Sequence, residues 1–136
     1  MKLTLAGVSH HRAPIGLRER VALDLDACRA LSARLDGEAV VLSTCNRTEV
    51  YLVREEHADD EAVDALVQLA GERADDLAAA LYRLRDEAAA LHLSRVAAGL
   101  DSLVPGEGEI LGQVRAAFEA GQWAIGRGCR TCRAAS

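Results

Sequence analysis

Two short apolar runs, Glu38 to Ser43 (EAVVLS) and Glu49 to Arg54 (EVYLVR), stand a few polar residues apart, and this spacing constrains the fold more than any other feature of the chain. Runs of this length, rich in β-branched and aromatic residues and separated so briefly, predict adjacent antiparallel strands. The tight connection between them carries Thr44, Cys45, Asn46 and Arg47. Upstream, Lys2 to Ser9 alternates Leu3, Leu5 and Gly7 against Thr4, Ala6 and Val8, predicting a first strand that ends in the polar cluster Ser9-His10-His11-Arg12.

From about Gly16 to Leu35, the residues Leu17, Val21, Leu25, Cys28, Leu31 and Leu35 recur at helical steps. Asp24 or Asp26 is placed to restart a helix after a break, so one helix or two joined end to end are expected. Asp59 to Arg73 shows the same period, with Gly71 as a stop, and Leu81 to Leu84 is a candidate last strand. Strand, helix, two strands, helix and strand is the order of an α+β fold, a ferredoxin-like βαββαβ sandwich, over roughly the first 85 residues. Two helices are expected to follow, at Glu87 to Leu100 and Glu109 to Gly121, joined by the Pro/Gly loop Asp101 to Gly108. Residues 1–121 then form one domain, and 122–136 a tail with no apolar period.

The formal charge is −5, so the whole molecule is not attracted to nucleic acid and any RNA contact must be local. Lys2 is the only lysine; the other basic residues are arginines, whose planar fork suits carboxylates and phosphates. With no signal-like or membrane-length apolar run in the sequence, a cytoplasmic protein is expected, and its four cysteines are expected as thiols. Cys129 and Cys132 have the spacing of half a zinc site; lacking a second pair, they carry no metal assignment.

Cys45 falls after an apolar run, at a polar turn where a reacting group can meet solvent and substrate. Arg47 can steady a thiolate or clamp a carboxylate, and Thr44 and Asn46 can donate hydrogen bonds to a carbonyl. On these residues alone, a reactive thiol and an incidental cysteine both fit.

Ser43-Thr44-Cys45-Asn46-Arg47-Thr48-Glu49 closely resembles the signature of the glutamyl-tRNA reductases, and Gly7-Val8-Ser9-His10-His11-Arg12-Ala13-Pro14 resembles that family's N-terminal block. His92-Leu93, Val96 to Val104, Gly106-Glu107 and Ile110 to Val114 resemble its third block. The resemblance implies that Cys45 takes glutamate from glutamyl-tRNA as a thioester, which NADPH then reduces to glutamate-1-semialdehyde for tetrapyrrole synthesis. By the same resemblance Thr44, Asn46, Arg47, Ser102, Glu107, Gly108, Glu109 and Gln113 bind substrate, Arg47 clamping the glutamate carboxylate and Glu107 accepting from its ammonium group. His92 assists proton transfer or polarises the carbonyl.

The resemblance further implies a homodimer, with glutamate-1-semialdehyde aminomutase as a partner, and separate NADPH-binding and dimerisation domains. No G-x-G-x-x-G follows a strand in this sequence, so those domains are expected to be missing and the chain to carry only the thioester-forming half. The sequence departs from the family pattern at Glu109, where a glutamine is usual, and at Ser94, where an aromatic is usual. A non-catalytic module that binds glutamyl-tRNA or a protein would predict tRNA affinity without covalent loading. A thiol redox domain would need a resolving cysteine near Cys45.

Overall fold

The computed structural model describes residues 1–99, 114–116 and 119. Within them lie four strands, β1 (Lys2–Ser9), β2 (Glu38–Ser43), β3 (Arg47–Arg54) and β4 (Tyr82–Arg85), and five helices, α1 (Ile15–Arg20), α2 (Leu25–Arg34), α3 (Asp59–Ala70), α4 (Ala74–Ala80) and α5 (Asp86–Ala97). The fold is mixed α+β. Its one sheet is antiparallel throughout, in the order β2-β3-β1-β4.

The strand alternation read from the sequence separates the two faces of this sheet. Ala6 and Val8 of β1, Ala39 and Val41 of β2, and Val50 and Leu52 of β3 join Leu17, Val21, Leu31, Leu66 and Leu77 in the main core. Leu66 and Leu77 are fully buried, and each such side chain contributes roughly 1.5–3 kcal/mol. On the other face, Leu5 and Tyr51 pack with Ala89 of α5.

Asp24 is the residue that restarts the helix: its side chain accepts from the Ala27 N–H at 2.8 Å, and α1 and α2 are separate. The first turn of α3 holds Asp59, Asp60 and Glu61, where the helix dipole favours anions. Gly71, at φ +56°, ends α3 as expected, but a short 3-10 turn over Gly71–Arg73 leads straight into α4, which the sequence pattern does not announce. The expected helix after β4 is α5, starting at Asp86, whose Oδ1 accepts from Leu3 N–H at 3.0 Å and whose Oδ2 meets His57 Nε2 at 2.8 Å. Of the expected second helix, residues 114–116 and 119 are described and helical; the rest, with the loop and tail, lies outside the described residues.

β3 begins at Arg47, two residues earlier than the apolar run suggests, because Arg47 pairs with Ser9 at the end of β1. Arg47 is therefore a strand residue, 3% exposed, with only Thr44 to Asn46 left as the turn. Among the described residues, no helix is long and apolar enough to cross a membrane.

Candidate active site

The hairpin that carries Cys45 is held by residues distant in sequence. At its root Leu23 N–H donates to Ser43 Oγ at 3.0 Å, Ser43 and Thr48 hydroxyls lie 3.0 Å apart, and Thr48 Oγ1 donates to the Val21 carbonyl at 3.2 Å. At its tip Thr44 N–H donates to the Arg47 carbonyl at 2.8 Å and Asn46 N–H to Thr44 Oγ1 at 3.2 Å, a side-chain turn of the kind threonine supports. The carbonyls of Cys45 and Asn46 are both fixed from outside. Arg18 Nη1 donates to the first at 3.1 Å and His10 N–H to the second at 2.8 Å.

This clamped turn leaves the Cys45 thiol exposed. It borders a cavity of about 200 Å³ shared with Thr44, Arg47, Ile15, Arg18 and Glu19. Cys28 is the contrast. It is buried, and desolvation, followed by the charge of Asp24, pushes its thiol up to about 11, so it stays protonated near neutrality.

Two residues along β3 from Arg47, Glu49 is completely buried. Its Oε2 accepts from Tyr82 Oη at 2.9 Å and lies 2.5 Å from His92 Nε2, while Arg47 Nη1 stands 4.0 Å from its Oε1. His92 belongs to α5 and its ring lies 5.3 Å from that of Tyr82. Burial first, then the charge of Glu49, raises the phenol pKa of both Tyr51 and Tyr82 well above the usual range, so both stay neutral.

Gly7 makes this arrangement fit. It pairs with Glu49 on one side and Tyr82 on the other, and a Cβ there would lie 2.8 Å from Tyr82 Cζ and 2.9 Å from Glu49 Cγ. Gly7→Ala should therefore displace the Tyr82 ring and cost about 1–3 kcal/mol, the usual range for overpacking. Chemical denaturation compared with wild type measures it; an unchanged midpoint would show that the slot has slack.

The structure thus brings Thr44, Cys45 and Arg47 to one cavity and joins His92 to Arg47 through Glu49, on the α5 side of the sheet. The Asn46 side chain is buried, leaving its backbone as the part that shapes the turn. Ser102, Glu107, Gly108, Glu109 and Gln113 lie outside the described residues, as do Cys129 and Cys132. The sequence reading assigned no role to Glu49, Tyr82, Gly7 or Arg18. No local signal marks Glu49: its burial comes from pairing with β1 and from the arrival of α5. Among the described residues no three His, Cys, Asp or Glu side chains are grouped to hold a metal.

Residues 6–128 match the family model described as glutamyl-tRNAGlu reductase, N-terminal domain. The chain is 46% identical over 134 residues to the glutamyl-tRNA reductase of Shewanella denitrificans, covering 92% of this chain and 32% of that protein. It is 48% identical over 124 residues to that of Rubrobacter xylanophilus, covering 87% and 29%. Among solved structures, the glutamyl-tRNA reductase of Methanopyrus kandleri superposes with a TM-score of 0.63 at 29% identity, over 90% of this chain and 28% of that one. The chain therefore spans about a third of the length of the curated relatives it matches. A motif-bearing hairpin, the sheet that supports it and a family match over most of the length agree: this chain belongs to the glutamyl-tRNA reductase N-terminal domain family.

Proposed function

We propose that this chain forms the glutamyl thioester of a glutamyl-tRNA reductase, with Cys45 as the nucleophile. The observation that carries the reading is an exposed thiol on a turn clamped from α1 and from His10, the residue after β1, in a chain of this family. Glutamyl-tRNA holds its glutamate as an ester on the terminal ribose. Cys45 Sγ attacks the ester carbonyl as thiolate, a C–S bond forms, the C–O bond to the ribose breaks, and the thiol's proton ends on the ribose oxygen.

In this proposal Thr44 and Asn46 shape the turn and contact the acyl group, and Arg47 meets the glutamate carboxylate, where a fork of donors is the fitting partner. His92 assists the proton transfer. Ser102, Glu107, Gly108, Glu109 and Gln113 complete the set of substrate contacts, within a domain spanning residues 1–121. The strand order and antiparallel pairing are compatible with a ferredoxin-like βαββαβ sandwich, with α4 as an addition.

The wider activity proposed for the whole protein is NADPH-dependent reduction of the thioester to glutamate-1-semialdehyde in the cytoplasm, by a homodimer that passes its product to an aminomutase. The described residues do not fit a dinucleotide: their sheet is antiparallel, and no strand among them runs through a Gly-x-Gly turn into a helix. The chemistry assigned to these residues ends at the thioester. Incubation with glutamyl-tRNA should add one glutamyl mass to the Cys45 peptide, released by hydroxylamine. No mass gain on that peptide would overturn the proposal.

A further inference from the structure

We infer that Glu49 is the positioning residue for His92: it holds the imidazole proton on Nε2 and leaves Nδ1 as the nitrogen that gives and takes protons. A neutral imidazole carries one N–H, and the hydrogen bond made by one nitrogen decides the role of the other. Here the partner of Nε2 is a carboxylate oxygen at 2.5 Å, which in its ionised form can only accept. The same oxygen accepts from Tyr82 Oη at 2.9 Å, a phenol whose raised pKa keeps it a donor. That oxygen thus meets two donors, and the Arg47 guanidinium stands 4.0 Å from the other oxygen of the same carboxylate.

The seat is built with little tolerance. Glu49 is 0% exposed on a central strand, and Gly7 is the neighbour whose missing Cβ admits both its Cγ and the Tyr82 ring. Among the described residues, the charged and titratable groups that face the pair are Arg47 and Tyr51 on β3 and Tyr82 on β4, with His92 itself arriving from α5. His92 is bonded to one oxygen of the carboxylate, and the Arg47 guanidinium stands 4.0 Å from the other. Glu49 therefore couples the residue proposed to clamp the substrate to the residue proposed to move its proton, and any change at Glu49 reaches both.

The assignment of Nδ1 to the proton-transfer role rests on the proposed function; the tautomer itself does not. Nitrogen-detected NMR of the full chain, with the histidine imidazoles labelled and His92 identified by His92→Gln, reads the tautomer directly. Nε2-protonated neutral His92, with Nδ1 as the titrating nitrogen, is the expected result. A neutral ring protonated on Nδ1 would overturn the inference whether or not the chain forms a thioester. Glu49→Gln should change the His92 titration and mix the tautomers, and Tyr82→Phe, a milder change, should move the same titration while leaving the Nε2 proton in place. If Glu49→Gln folds and His92 titrates as in the wild type, Glu49 does not position it. Should Glu49→Gln fail to fold, the wild-type tautomer and the Tyr82→Phe titration still decide the matter. In a loading assay the Glu49→Gln effect should fall on the rate at saturating glutamyl-tRNA and on its pH profile, and loss of loading with an unchanged His92 tautomer would count against the inference.

Discussion

Cys45→Ser is expected to abolish the hydroxylamine-labile glutamyl adduct, while Cys28→Ala loads as the wild type does. A serine hydroxyl in the same turn keeps the contacts of the Cys45 backbone, because Arg18 and His10 hold carbonyls and not the thiol. What is lost is the chemistry: a thiol supplies a few per cent thiolate at neutral pH and is strongly nucleophilic, whereas an unassisted hydroxyl is neither. Cys28 is buried and raised to about 11, so a second thiol offers no alternative route among the described residues. Intact-mass measurement after incubation with glutamyl-tRNA decides it. If Cys45→Ser gains the glutamyl mass at the wild-type rate, the nucleophile lies elsewhere.

The second large effect should come from Glu49→Ala, at about 3–5 kcal/mol of stability, the range seen when one member of a buried charged group is removed. Two side chains, Tyr82 and His92, lose their hydrogen-bond partner together, and Arg47 loses the carboxylate 4.0 Å away. The Tyr82 hydroxyl and His92 Nε2 are left without their acceptor in part-buried surroundings, and a void forms beside Gly7. Urea or thermal unfolding followed by circular dichroism would measure the loss. A change under about 1 kcal/mol would show that water or a rearranged partner replaces the carboxylate at little cost.

The sequence made the hairpin and the exposed cysteine legible because both are local. An apolar run, a polar turn and a second apolar run need no knowledge of the rest of the chain, and neither does an aspartate cap, though only the structure chooses Asp24 over Asp26. The burial of Arg47 and Glu49 was not legible in the same way. A charged residue in a strand ordinarily faces solvent, and what hides these two is their pairing with β1 and the arrival of α5, contacts made across 38 residues for Arg47 with Ser9 and 43 for Glu49 with His92. α4 was missed for a different reason: Gly71 ends α3, but a 3-10 turn restarts the chain over a stretch that the sequence pattern left unassigned. Recognition of the family supplied roles for Cys45 and His92, and physical pattern alone would have left both open.

Gly7 also removes an ambiguity that the alternating pattern leaves behind. Sliding β1 by two positions against its neighbours would return every side chain to its own face, and Leu3, Leu5 and Ser9 would still find acceptable company. Only one residue in the strand lacks the atom that would strike Tyr82 and Glu49. Any such slip would bring Leu5 or Ser9 between them, so a single hydrogen in place of a methyl group acts as the key to the strand's alignment. Because Ser9 faces Arg47 and His10 holds the Asn46 carbonyl, the alignment fixed at Gly7 also determines where the Cys45 turn comes to rest.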